Sequence, residues 1–141
     1  MIVVLDTNVV VSGILKSIGP AGTILRLAVL GSVRLAHDAR ILSEYREVLC
    51  RPAFGFPKDR VNALIDHFEK EGLAIIGLPL PFRLPDPDDE PFLEIAIAGR
   101  ADALVTGNMR HFAVKKHKMQ VMSPAEFIAE FRLRTNLKDP S

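Results

Sequence analysis

A three-layer α/β/α domain on a central, mainly parallel sheet of four to five strands is the fold class this sequence predicts. Three observations carry it. Ile2–Leu5 is an unbroken apolar run with no polar alternation, the pattern of a strand buried on both faces. Short apolar runs then alternate with amphipathic stretches of helical length, the signature of a parallel sheet. Helix punctuation stands where that alternation needs it: Pro20 opens one helix, Gly31 follows its end, and Ser123-Pro-Ala-Glu126 forms a capping box.

In chain order, residues 2–5 predict the first strand and Pro20–Leu30 the first helix. Residues 33–36 predict a second strand. Residues 38–50 predict an amphipathic helix stopped before Pro52, and residues 58–70 another stopped near Gly72. Residues 73–76 predict a third strand, 88–98 a helix, 103–106 a fourth strand and 119–122 a fifth, before the last helix. The four prolines of residues 77–87 punctuate a loop, since neither half of the chain is long enough to bury a core alone.

The 141 residues fit one domain spanning 1–141. A hydrophobic fraction of 48% and a charged fraction of 25% exclude a disordered chain. Eighteen Lys and Arg against 17 Asp and Glu leave a net charge of +1, so any hold on a polyanion must come from a local patch. One cysteine, Cys50, excludes an internal disulfide and reads as a buried apolar residue. The start lacks a basic leader, and the longest apolar stretch is interrupted by Arg26 and Arg34, so no membrane span is expected and the cytoplasm is the expected location.

The chemistry concentrates at the ends of the expected strands, where ligands bind in open parallel sheets. Asp6 ends the first strand and is followed by Thr7 and Asn8. A helix N-cap accounts for one of these three residues but not for the cluster. On a helical wheel of about 100° per residue, Ile41, Leu42, Tyr45, Val48 and Leu49 form one face. Glu44 flanks that face, and Glu47 points away from it. Whether Glu44 reaches a cleft or snorkels into solvent stays open on this reading. Asp86, Asp88 and Asp89 precede a helix, where capping and the macrodipole account for the first two. Asp89 shares a wheel face with Phe92, Leu93 and Ala96, so its carboxylate must be paired, protonated or holding a cation. Thr106-Gly107-Asn108 closes the fourth strand as a polar turn. Its side chains suit a phosphate or a metal-bound water as well as a plain turn.

Hard oxygen ligands without a Cys/His pair at zinc spacing point to Mg²⁺ or Mn²⁺. His37, His67, His111 and His117 show no ligand spacing and read as surface or loop residues. Arg110, Lys115, Lys116 and Lys118, with His111 and His117, crowd the segment after Asn108. They read either as a solvated surface or as a track for a phosphate backbone.

Four stretches follow one another in an order that resembles the PIN-domain ribonucleases, closest to the VapC-like toxins of toxin–antitoxin pairs. They are Val-Val-Leu-Asp-Thr-Asn-Val-Val-Val-Ser at residues 3–12 and Ser-Glu-Tyr-Arg-Glu-Val-Leu at 43–49. Asp-Pro-Asp-Asp-x-x-Phe-Leu-Glu-x-Ala at 86–96 and Val-Thr-Gly-Asn at 105–108 complete the set. The resemblance implies a metal-dependent endoribonuclease with Asp6, Glu44 and Asp89 as catalytic acids and metal ligands. Thr7, Asn8 and Thr106 are then supporting polar residues, while Arg110, Lys115, Lys116 and Lys118 of the basic segment stay candidates for RNA contact beside the solvated-surface reading. It also implies Mg²⁺ or Mn²⁺ as cofactor, RNA as substrate and an antitoxin protein as partner; a homodimer and a monomer both stay open on the sequence. The fourth catalytic position, often Asp in the family, is Asn108 here, a neutral and weaker ligand.

Two other classes compete. Aspartyl-phosphate phosphatases also begin with a strand ending in Asp, but they need Asp-x-Asp, and the second acid is replaced by Asn8. A non-catalytic RNA-binding module on a degenerate PIN fold is favoured only by Asn108. Three retained acids argue against it, because they repel one another unless a cation is held.

Overall fold

The computed structural model describes residues 1–138. β1 (Ile2–Leu5) leads into α1 (Thr7–Leu15) and α2 (Pro20–Leu30). β2 (Arg34–His37) leads into α3 (Ala39–Leu49) and α4 (Lys58–Glu71), and β3 (Leu73–Ala74) into α5 (Glu90–Ala98). β4 (Ala103–Val105) reaches β5 (Val121–Met122) through a 3-10 turn at Met109–Phe112, and α6 (Pro124–Lys138) follows.

All neighbouring strands pair in parallel, in the order β3-β2-β1-β4-β5. β1 lies in the middle, with Val3 opposite Leu35 on one side and Val4 opposite Leu104 on the other. Val3, Val4 and Leu5 are fully buried, as the continuous apolar run requires. The chain runs outward from β1 to β3, then returns to the far side of β1 for β4 and β5. α5 lies on this return crossover and also meets α3, through the Arg40–Glu94 ion pair at 3.0 Å. α5 packs on β1, β2 and β4, while α4 packs on β2, and α6 packs on β4, β5 and α2. The order reverses between β1 and β4, and the chain leaves those two strands in divergent directions.

Helix ends follow their sequence signals. α2 starts with Pro20 and stops at Gly31, whose φ of 84° is left-handed backbone that glycine adopts at no steric cost. Asp38 accepts from Ile41 N at the start of α3. Ser123 and Glu126 exchange the reciprocal bonds of a capping box.

The structure also corrects the sequence reading. α1 was not expected: the apolar residues after Asn8 carry no element in the sequence reading, yet Asp6 caps a helix there and α2 covers it. The second strand is shifted by one residue. The third shortens to two residues, the fourth stops at Val105, and the fifth begins at Val121. The expected helix at 88–98 is a 3-10 turn, Pro87–Asp89, running into α5. Cys50 is only half-buried, at the end of α3. Among the described residues no single helix is long and apolar enough to cross a membrane.

The turn after α1 folds so closely over α2 that a Cβ on Gly22 would lie 2.2 Å from Ser17 O, and between the two helices a Cβ on Gly13 would lie 2.5 Å from a Leu25 methyl. The Gly22 neighbour is backbone and cannot swing away. Gly22→Ala should therefore cost about 1–3 kcal/mol of stability, read as a lower urea midpoint. An unchanged midpoint would mean that the turn does not pack on α2 at this distance.

Candidate active site

The site grows from the end of β1. Asp6 N donates to Val105 O at 2.9 Å, which extends the β1–β4 pairing by one step and fixes where the Asp6 side chain leaves the sheet. Its Oδ1 accepts from Thr7 N at 2.8 Å, and its Oδ2 accepts from the Thr106 hydroxyl at 2.8 Å. Thr106, fully buried, follows β4 directly. Asp6 therefore caps α1 and also stands at the reversal of strand order, so the two readings of this residue hold together.

α3 delivers Glu44. Its Ile41, Leu42, Tyr45 and Leu49 are buried, and the Tyr45 hydroxyl donates to Leu5 O, pinning the helix to the end of β1. Glu44, one residue before Tyr45, is half-buried and accepts from the Thr7 hydroxyl through Oε2. Glu47 faces away, 69% exposed in its side chain and paired with Arg51.

Asp89 enters from the start of α5. Asp86 accepts from Asp88 N and stabilises the turn, but the Asp89 side chain caps nothing. It is buried, and its Oδ2 has no hydrogen-bond partner. The nearest donor atom is His111 Nδ1 at 3.0 Å, placed off hydrogen-bond alignment. His111 Nε2 lies 2.7 Å from Asn108 Nδ2, and Asn108 N donates to the Thr106 hydroxyl at 3.0 Å. An unbroken series of polar contacts thus links Glu44, Thr7, Asp6, Thr106, Asn108, His111 and Asp89. Asn8 sits at its edge and accepts from Gly107 N at 3.1 Å, tying the turn after β4 to α1. A Cβ on Gly107 would meet Asn8 only at 3.5 Å, so the packing around it does not demand glycine.

Electrostatics in the cluster are unfavourable throughout. Burial pushes the Asp6 carboxyl up, against the pull of its bonds to Thr106 and Thr7. Burial also raises Glu44, with the Asp6 charge adding to it. Burial and the Asp6 charge lift Asp89 to about 6, and His111 opposes them. Three carboxylates that all resist ionisation are what a bound cation would relieve.

Among the described residues, no three His, Cys, Asp or Glu side chains already form a metal cage. Mg²⁺ does not need one: it keeps several waters and binds through one or two carboxylates. The unpartnered Oδ2 of Asp89, the hard-oxygen donor set and the raised pKa values fit such an ion.

The reading of the histidines needs correction. His37 is 2% exposed at the end of β2, not a surface residue. His111 joins the acidic cluster, which the search for ligand spacing missed. The signal was its place three residues after Asn108, one turn of 3-10 helix. His117 braces its own loop through contacts with Phe112 O and Met119 N, and His67 meets Val29 O from α4. Arg110, Lys115, Lys116 and Lys118 are all exposed on the segment between β4 and β5.

A family model described as PIN domain matches residues 2–110. No curated protein matches the sequence. The fold is similar to that of a chain in the crystal structure of VapBC2 from Rickettsia felis bound to a DNA fragment from their promoter. The TM-score is 0.58 and the identity 19%, over 87% of this chain and 98% of that one.

The raised acids set the sign of a pH effect. A carboxyl lifted from 3.8 to about 6 on folding favours the folded state when protonated. That contribution is complete below about pH 4 and is lost as the pH rises through about 6. Metal-free protein should therefore lose stability over that window. Asp89→Asn should flatten the loss and stabilise the protein at pH 7 by about 1–2 kcal/mol, a figure discounted for water in the cleft. Thermal melts across pH 4–8 check this, and a destabilised Asp89→Asn would mark Asp89 as a structural partner.

Proposed function

The chain belongs to the PIN domain family, and from that premise we propose that it is a metal-dependent endoribonuclease, the toxin component of a toxin–antitoxin pair. The observation that carries the reading is the convergence of Asp6, Glu44 and Asp89, from three separate elements, on the reversal point of the sheet. A purely structural role gives no reason to gather three repelling carboxylates there.

In this reading Asp6 and Asp89 hold Mg²⁺ or Mn²⁺, with Glu44 at the edge of the site. When bound, the ion supplies positive charge to a non-bridging phosphate oxygen and eases loss of a proton from water. Asp6 enters with both oxygens already oriented by Thr7 and Thr106, so its direction is fixed before substrate arrives. Glu44, with a raised pKa and one oxygen bonded to Thr7, is placed to orient the attacking water and take its proton. In-line attack leaves a 5′-phosphate and a 3′-hydroxyl. Arg110, Lys115, Lys116 and Lys118 would follow the RNA backbone as solvent-exposed cations. A protein partner is proposed on the likeness to a chain of the VapBC2 complex, together with the family resemblance of the sequence. A cytoplasmic location goes with both.

The test is cleavage of mixed-sequence RNA with Mg²⁺, Mn²⁺ and chelator, on wild type and on Asp6→Ala, Glu44→Gln and Asp89→Asn. Wild type should cleave only with a divalent ion, and each variant should lose about 100-fold or more. Cleavage that survives chelator or all three substitutions would overturn the reading. Lys115→Glu with Lys116→Glu should raise KM more than it lowers kcat and flatten the salt dependence. Unchanged salt dependence would return those lysines to plain solvated surface.

A further inference from the structure

His111 sits between two members of the acidic cluster, and the proposed chemistry gives its ring no role. The ring is not loosely placed. It rides on the 3-10 turn Met109–Phe112, whose Phe112 is 1% exposed in the core. His111 N donates to Asn108 O at 3.2 Å, and the His117 ring contacts Phe112 O at 2.8 Å. One ring nitrogen, Nε2, faces the Asn108 amide nitrogen at 2.7 Å, and the other, Nδ1, faces Asp89 Oδ2 at 3.0 Å.

These two neighbours fix the proton on a neutral ring. An amide N–H can only donate, so the nitrogen it meets must carry the lone pair. The ring proton is then on Nδ1, facing the carboxylate. The opposite tautomer would set two donors against each other at Nε2 and two acceptors against each other at Nδ1. Turning the Asn108 amide over would satisfy Nε2–H but would still leave the Nδ1 lone pair against Asp89. With Asp89 ionised and the ring neutral, the Nδ1–H tautomer alone satisfies both ends. It also places an N–H on the ring nitrogen that lies 3.0 Å from the buried and otherwise unpartnered Asp89 Oδ2.

We propose that Asn108 and His111 act together as positioning residues for Asp89, the amide fixing the imidazole tautomer and the imidazole holding the carboxylate in the orientation from which it meets the cation. Asn108 N is bonded to the Thr106 hydroxyl, which itself donates to Asp6. The pair therefore couples Asp89 to the same bonds that orient Asp6. An aspartate at position 108 could not do this, because it has no proton to give the ring. The inference rests on the nuclease reading for its consequence in catalysis, not for its geometry.

The decisive measurement is ¹⁵N NMR of the imidazole rings in metal-free protein, at a fixed pH where His111 is neutral. Wild type should show the Nδ1–H tautomer at His111, and Asn108→Asp should abolish it. Titration with Mn²⁺ alone should show His111→Ala weakened by about 10- to 100-fold, the usual effect of removing a partner of a metal ligand. His111→Asn, whose amide nitrogen can stand where Nδ1 stands, should retain most of the affinity, and His111→Gln should not. In RNA cleavage, His111→Ala should lower kcat more than it raises KM. An Nε2–H tautomer in wild type, an unchanged tautomer in Asn108→Asp, or Mn²⁺ affinity unmoved by His111→Ala would each overturn the proposal. If His111→Ala fails to fold, the tautomers of wild type and Asn108→Asp still decide it. Should wild type show the tautomer and the Mn²⁺ effects yet cleave no RNA, the nuclease reading fails and the positioning role stands.

Discussion

The structure depends on a buried carboxylate at the end of its central strand. Asp6 is 6% exposed, and an ionised group so placed must have its oxygens satisfied from close by. Two donors do this: the first amide of α1 and the hydroxyl of Thr106. Each fixes more than the side chain. The Thr7 amide sets where α1 begins, and with it the direction in which the chain leaves the sheet. The Thr106 hydroxyl sets how β4 ends, and through Asn108 N it shapes the turn that follows. The strand pairing, the helix start and the polar turn are thus consequences of one requirement at one residue.

Apolar packing holds the like charges together. Tyr45 and Phe92, both about 1% exposed, pack near each other beneath the cluster from α3 and α5, the elements that carry Glu44 and follow Asp89. Burying such side chains contributes on the order of 1.5–3 kcal/mol each, enough to outweigh raised carboxyl pKa values in the cleft. The Tyr45 hydroxyl reaches Leu5 O directly behind Asp6, so the packing also supplies positional control. Strain of this kind, tolerated in one place because the surrounding core over-determines the geometry, is characteristic of functional sites.

Charges elsewhere serve connection. Arg83 and Leu84 N both bond Glu90 and hold the proline-rich loop against the start of α5. Arg134 bonds Asp102, which also accepts from Ile2 N, tying α6 to the start of the central strand. The two arginine side chains are exposed and their ion pairs individually weak, but these bonds fix the proline-rich loop and α6 in place. Their carboxyls, Glu90 and Asp102, are held below the ordinary range, the opposite of the cluster. That contrast separates acids placed to be paired from acids placed to repel.

The sequence by itself determined the fold class, the central place of Ile2–Leu5, both ends of α2, the capping box of α6 and the set of acids that carry the family motifs. Each rests on local chemistry: period, capping and turn residues act within a few positions, and a one-dimensional pattern records them. It could not determine α1, because a valine run is strand-like until Asp6 caps it and α2 covers it. Nor could it fix the lengths of the strands at the sheet edges, which depend on how far each neighbour extends. Glu44 read equally well as a cleft residue or as an exposed one, and its bond to Thr7 decided the matter across 37 residues. His37 and His111 were misread for the same reason. Burial of the one and the contact of the other with Asp89 come from elements distant in sequence, and charge and desolvation act through space, where spacing along the chain carries no record of them.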